Sequence, residues 1–315
     1  MSLEKSFFLT EAPSAEQVKA PIGERRNPDK YAIFLRSKRQ IVLTGTETEE
    51  EARAAEKEPI HIEGLPKFMS FHEQRTHMKQ KLAAGFRLMA LYRYDEGVAG
   101  HMTFRDPEYP DLFWVNPLAM YFGHIKASDL VLVDHKGKIV RGNTVVNKAA
   151  FMIHGAIHGA REDVICAVHT HSIYGRTFST FGRELLPISQ DACAFYGAHG
   201  LYPDFGGVVY TPEEGERLVK ALGPTNKALI LQNHGLLTTG KTVDEAVWWF
   251  LAMERCCQSQ ILAESAHPNG WKDLKIIDDE VARGVYQNTG DAQAGYMQFQ
   301  PLFQMITKLQ PDCLE

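Results

Sequence analysis

Val164-Ile165-Cys166-Ala167-Val168-His169-Thr170-His171-Ser172 is the stretch whose reading decides the fold. Its first five residues are apolar, and three of them are β-branched, which suits a buried strand. The run ends on two histidines spaced i and i+2. Alternate side chains of a strand point the same way, so both imidazoles can reach one ion. A second apolar run, Ala228-Leu229-Ile230-Leu231, leads into Gln232-Asn233-His234-Gly235. Gly235 permits a sharp turn that frees the His234 ring. Both histidine sites end buried strands, where pockets form in α/β sheets. His169, His171 and His234 together form a common catalytic-metal set, three neutral imidazoles with an open position. For a lone HxH pattern, ordinary capped or surface histidines are the competing explanation. A rival pair, His154 and His158, has chelating spacing on a helix. Gly155-Ala156-Ile157 lies between them, with no glutamate to act as a base. That pair reads as structural, one ring packed under the site and the other solvated.

Outward from this centre, helices and strands interleave. A helical pattern starts near His72, carries Leu82, Phe86, Met89 and Ala90 on one face, and stops at Asp95-Glu96-Gly97. Short strands follow at His101 to Phe104, Leu112 to Val115 and Leu130 to Val133. Asp134-His135-Lys136-Gly137 then turns into Lys138-Ile139-Val140. Val145 to Ala160 is helical again, and Ser172 to Phe181 reads as a short helix. Thr211-Pro212-Glu213-Glu214 and Thr242-Val243-Asp244-Glu245 are helix starts, each with a threonine cap and a glutamate three residues on. Asp278 to Leu309 predicts a final helix and tail. The order implies a mixed sheet flanked by helices in one domain. Residues 1–66 differ in composition: Thr46 to Glu58 is acidic with little to bury. This part reads as an extended or partly disordered arm with one strand-like patch, Gln40 to Leu43, ahead of a domain spanning 67–315.

Bulk properties narrow the function classes. With 315 residues, 44% of them hydrophobic, the chain can bury a sizeable core. A net charge of -5 and scattered lysines and arginines argue against a nucleic-acid partner. No apolar run is long enough to span a bilayer, and the opening MSLEKSFFLTEAPS lacks the apolar core of a signal peptide. Cys166, Cys193, Cys256, Cys257 and Cys313 form no CxxC pair. Buried reduced thiols are expected, and with them a cytoplasmic location.

VICAVHTHS at 164–172, ALILQNHGLL at 228–237 and TGKTVDEAVWWFLAMERCCQ at 239–258 together resemble the class II aldolase/adducin family. The resemblance runs from about Glu73 to Glu264. It implies a three-layer α/β/α sandwich around a central, mostly antiparallel sheet. It implies zinc held by His169, His171 and His234, and homotetramers with sites where subunits meet. In the cytoskeletal adducin branch the ligand set is not kept; here all three ligands stand.

Departures from the family pattern redirect the chemistry. The aldolases place two serines and a catalytic glutamate where this chain has Lys148, Ala149 and Ala150. An alanine cannot transfer a proton. The family's Gly-Asn-x-Ser becomes Gly100-His101-Met102-Thr103, and its Thr-Gly becomes Leu118-Ala119 within Asn116-Pro117-Leu118-Ala119. Phosphate binding needs small residues, hydroxyls and exposed N–H groups. A non-phosphorylated substrate is therefore expected, with Lys148, His101 and Asn116 as candidate substrate-binding residues. Asp191 and Gln190 fall near where an aldolase places a catalytic tyrosine; Asp191 is the leading substitute acid/base, with a bond that merely orients a ligand histidine as the alternative. Tyr174 is a third candidate, for which packing is the competing role.

The resemblance thus implies a metal-dependent lyase acting on a small carbonyl or carboxylate compound, by aldol cleavage or decarboxylation through a metal-stabilised enolate. Two alternatives stand beside it: a non-haem iron oxygenase, and a non-catalytic adducin-like assembly module. Zinc, manganese and iron all suit three imidazoles.

Overall fold

The computed structural model describes residues 64–205 and 212–315. The expected arm, with its Gln40–Leu43 patch and the cap residue Thr211, lies outside the described residues apart from 64–66. In chain order the elements are α1 (Phe71–Leu91), β1 (His101–Arg105), β2 (Leu112–Val115), β3 (Val131–Asp134), β4 (Ile139–Arg141), α2 (Lys148–Ala160), β5 (Cys166–Thr170), α3 (Ile173–Ser179), α4 (Gln190–Cys193), β6 (His199–Tyr202), α5 (Pro212–Leu222), β7 (Ala228–Leu231), β8 (Gly235–Gly240), α6 (Val243–Ala266), α7 (Asp279–Thr289) and α8 (Ala292–Leu309).

Side-chain oxygens start the longer helices by taking up N–H groups that a helix cannot satisfy internally. Ser70 Oγ accepts from Glu73 N at 3.1 Å, and the Glu73 carboxylate reaches back to Met69 N at 2.8 Å, which opens α1. Thr242 does the same for α6, accepting from Glu245 N at 3.0 Å. The Glu245 carboxylate returns to Lys241 N at 2.6 Å and also takes the Trp249 indole N–H at 3.0 Å. α1 stops at Leu91, short of the expected Asp95-Glu96-Gly97. Arg93 there adopts φ +59, a conformation that ends a helix.

Eight strands make one sheet in the order β4-β3-β2-β1-β5-β8-β7-β6. Every neighbouring pair is antiparallel except β6–β7. Alternation along the strands sends apolar side chains to both faces. Met102, Phe104, Cys166, Val168, Ile230 and Leu236 face a core shared with Phe86, Trp249, Phe250 and Phe299 of α1, α6 and α8. Leu229, Leu231 and Leu237 face Ile153 and Ile157 of α2 and Leu218 and Leu222 of α5. The result is the three-layer α/β/α sandwich. Each such buried side chain contributes about 1.5–3 kcal/mol.

β6 and β8 have no counterpart among the expected strands. β8, Gly-Leu-Leu-Thr-Thr-Gly, is fully buried yet polar at Thr238 and Thr239, because Thr238 Oγ1 donates to Ala246 O at 2.9 Å. The C-terminal segment is two helices rather than one, parted at Gly290-Asp291, where the Asp291 carboxylate caps α8 by accepting from Ala294 N. No helix among the described residues is long and apolar enough to cross a membrane. All five cysteines are buried and unbridged.

Candidate metal centre

β5 runs Cys166–Thr170 rather than Val164–Val168, so His169 lies within the strand and His171 just past its end. β7 and β8 form a hairpin closed by the Leu231–Gly235 pair, with Gln232, Asn233 and His234 as its loop. Asn233 takes φ +57 and Gly235 φ +154; these residue types accept positive φ at low cost. A Cβ on Gly235 would stand 3.1 Å from the Thr170 carbonyl oxygen. Glycine therefore lets the hairpin lie against the end of β5 and carries His234 to the other two histidines.

The three rings converge. Their centroids are 5.1 Å apart for His169–His171, 4.7 Å for His169–His234 and 4.8 Å for His171–His234. One ligand atom from each lies within 4.8 Å of the others, the only such group of three or more candidate ligands among the described residues. Three nitrogens about 2.1 Å from a single ion stand about 3.4 Å apart, so the cluster has the right scale. His169 Nδ1 sits 2.7 Å from the Leu236 carbonyl oxygen. A carbonyl only accepts, so Nδ1 carries the proton and Nε2 is bare. Burial holds the His169 imidazolium well below its ordinary range, with His234 and His101 adding to the effect. Burial and then the His171 charge push His234 down to about 4. His171 is lowered by burial and by Arg176, with Glu96 opposing. All three are therefore neutral at pH 7, the form that ligates. The donor set fits a divalent ion.

A second group of histidines lies beneath the first, between the sheet and α2. The His101 ring is 5.4 Å from His169 and 4.0 Å from His154, centroid to centroid. Thr103 Oγ1 stands 2.8 Å from both His154 Nδ1 and His158 Nε2, and His158 Nδ1 is 3.2 Å from the Val164 carbonyl oxygen. The protons follow from that carbonyl. His158 Nδ1 must donate to it, so Nε2 accepts from the Thr103 hydroxyl, whose oxygen in turn accepts from His154 Nδ1. Burial pushes His158 down to about 3 and His154 well below its ordinary value. Both rings of this pair are buried, so neither is the solvated one that the sequence led us to expect; Phe113 stacks on His158 at 4.7 Å.

The other candidates scatter. Asn116 is buried, its amide donating to Pro117 O at 3.3 Å. Lys148 opens α2, with its side chain outside the described part. Tyr174 is half-buried in the first turn of α3 and packs on the core. Gln190 and Asp191 are exposed on α4, and neither touches the three histidines among the described contacts. Asp191 instead lies near α6, where burial and then its charge push the Cys256 thiol up to about 12. Two charged residues escaped the sequence reading. Arg176, half-exposed on α3, is the chief charge acting on His171 and pairs with the exposed Glu96 at a long 3.5 Å. A lone arginine five residues past an HxH carries no pattern that would single it out. A cleft beside His234 is lined by Tyr202, Asp204, Phe205, Glu214, Leu231 and Gln232 among others.

Sheet, layers and strand-end histidines define an α/β sandwich with three converging imidazoles that could hold a metal ion. Residues 80–261 match the family model described as Class II Aldolase and Adducin N-terminal domain. The chain belongs to that family. It is 41% identical over 249 residues to Decarboxylase NovR of Streptomyces niveus, covering 78% of this chain and 90% of that one. It is also 41% identical over 249 residues to the 4-hydroxy-3-prenylphenylpyruvate oxygenase/4-hydroxy-3-prenylbenzoate synthase of Streptomyces roseochromogenus subsp. oscitans, covering 78% and 88%. Among solved structures it is similar to the L-fuculose 1-phosphate aldolase from Glaciozyma antarctica PI12. There the TM-score is 0.73 and the identity 41%, over 79% of this chain and 96% of that one.

Proposed function

We propose that this protein is a metal-dependent lyase that breaks a carbon–carbon bond, by decarboxylation or aldol cleavage, in a small non-phosphorylated carbonyl or carboxylate compound. The observation that carries the reading is the convergence of three neutral imidazoles, one of them with its proton fixed away from the others. A divalent ion held by His169, His171 and His234 supplies Lewis acidity for the negative charge that develops when the bond breaks. Zinc is the first choice of metal, with manganese and iron(II) next. The relative named a decarboxylase supports the reaction type.

The surroundings favour an acid over a phosphate. Leu118 and Ala119 offer no hydroxyl, and Ala119 keeps φ +62, the conformation a glycine would take there. Arg176, loosely paired near His171, suits a carboxylate. His101, Asn116 and Lys148 are proposed as further substrate contacts. Decarboxylation needs no base to start it, which suits the absence of a glutamate at Ala150. Proton return falls to Asp191 or Tyr174, with Gln190 placed to hydrogen-bond and orient the substrate. Asp191 and Gln190, exposed and apart from their own cluster, would serve the site of a neighbouring copy in a homo-oligomer. The five buried thiols suit a cytoplasmic setting.

A second reading, a non-haem iron oxygenase on the same ligands, is favoured by the relative named an oxygenase. Elemental analysis of protein purified without added metal, with turnover of 2-oxo and 2-hydroxy acids followed as CO₂ release and O₂ uptake, tests both. About one zinc or manganese per chain with O₂-independent cleavage supports the lyase. Iron with O₂ uptake moves the assignment to the oxygenase. A chain that binds none of these metals sinks both.

A further inference from the structure

The segment after the second ligand candidate has an unusual anchor. α3 begins at Ile173, directly after His171-Ser172, and its N-cap residue Ser172 makes no capping bond of its own. The role is filled from α6, about eighty residues on. Glu254 Oε1 accepts from Tyr174 N at 2.8 Å, and Oε2 accepts from Gly175 N at 2.6 Å and from the Ser172 hydroxyl at 2.5 Å. Glu254 is fully buried, and no ion pair reaches it among the described residues. Three donors from one strand-to-helix junction carry the cost of burying this carboxylate. Burial still raises its pKa, against the pull of those three bonds.

Packing around the carboxylate draws in the other ligands. A Cβ on Gly175 would stand 2.7 Å from Glu254 Oε2 and 2.5 Å from Leu236 Cγ, so a glycine is required for α3 to seat there. Leu236 is two residues past His234, and its carbonyl oxygen takes the His169 Nδ1 proton. Glu254 thus grips the residue next to His171 at a point where α3 rests on the strand that anchors His169 and follows His234.

We propose that Glu254 is a positioning residue for the three-histidine centre, setting the peptide at 171–175 so that His171 meets His169 and His234. The proposal rests on the metal-site reading above. A hydrophobic or amide side chain would leave buried N–H groups without an acceptor and let the junction move. Residues that orient metal ligands without touching the ion typically change affinity by about 10- to 100-fold when replaced.

The test is Glu254→Gln in the full chain, with Zn²⁺ affinity measured by competition with a chelator and the visible spectrum of the Co²⁺-loaded protein recorded. A matched control is Lys227→Met, which removes a buried ammonium stacked on Trp249 at 3.2 Å and bonded to Gly290 O, packing that lies outside the histidine cluster. Glu254→Gln is expected to weaken Zn²⁺ binding about 10- to 100-fold and to alter the Co²⁺ spectrum. The control is expected to lower the melting temperature alone. Affinity within twofold of the parent, or a loss no larger than in the control, overturns the proposal and leaves the metal site standing. A parent protein that binds neither ion overturns the metal site itself, and the proposal with it. If Glu254→Gln does not fold, Ser172→Ala removes only the hydroxyl bond. A several-fold loss of affinity is then expected, and an unchanged affinity and spectrum counts against the proposal.

Discussion

Two groups of histidines lie a few ångströms apart in this protein, and their hydrogen bonds separate them. In the inner group, His158 commits both ring nitrogens, to Thr103 and the Val164 carbonyl, while His154 commits Nδ1 to Thr103 and its buried Nε2 makes no hydrogen bond among the described residues. In the outer group, His169 spends only its Nδ1 proton, on Leu236, and its other nitrogen faces His171 and His234. Burial keeps both groups neutral. Neutrality and proximity are therefore not enough to make a ligand. An uncommitted nitrogen occurs in both groups, so what distinguishes the outer one is the convergence of three rings on one point.

The comparison breaks most sharply at the outer group. His171→Ala is expected to reduce bound metal from about one per chain to almost none while the fold persists, because two imidazoles hold an ion far more weakly than three. Stoichiometric metal in that variant, by elemental analysis, would falsify the ligand assignment. Next comes Thr103→Val, which takes the shared hydroxyl from both inner histidines. A loss of about 2–4 kcal/mol in denaturant unfolding is expected, as two buried nitrogens lose their partner, with metal content unchanged. Metal lost alongside stability would show that the two groups act as one.

Acid sharpens the same contrast. His158 titrates near 3 when folded and near 6.5 when unfolded. Its depressed folded value means that stability is fully present above about pH 6.5 and falls as pH drops toward 3, since the unfolded chain takes up the proton first. From pH 7 to 5 this single group lowers stability by roughly 2 kcal/mol. Metal-free His158→Phe should show a shallower decline than the parent over that interval, and equal slopes would count against the assignment. The smallest effect concerns Glu96. His171 lies between the opposed charges of Arg176 and Glu96, so Glu96→Gln should leave Arg176 unopposed and move the His171 titration to lower pH. Histidine NMR of the metal-free protein reads this directly, and no movement would mean that solvent screens the pair.

Much of the frame was legible in residue order. The apolar runs before His169 and His234, the threonine cap at Thr242 and the short apolar run at Leu112–Val115 each carry a local signal, and each matches an element. β8 was not legible, because Thr238 and Thr239 look like a turn until a helix carbonyl and a neighbouring strand take up their polar groups. The break between α7 and α8 was missed for a related reason. Lys227 Nζ bonds Gly290 O at 2.7 Å across 63 residues, and nothing in the local sequence announces that anchor.

The candidate site divides along the same line. That His169 and His171 share a side follows from strand periodicity, which is local geometry. That they are two members of a three-residue centre depends on the β5–β8 and β7–β8 pairings, which bring His234 in from 63 residues beyond His171. Sequence alone determined the residue types, the strand alternation and the family pattern, because these are set by chemistry within a few bonds. Only the tertiary structure decided which histidines converge on one point, that Glu254 reaches the junction after His171, and that Asp191 stands apart from its own cluster. Each of these depends on contacts between residues far apart in the chain, and short-range propensity carries no record of them.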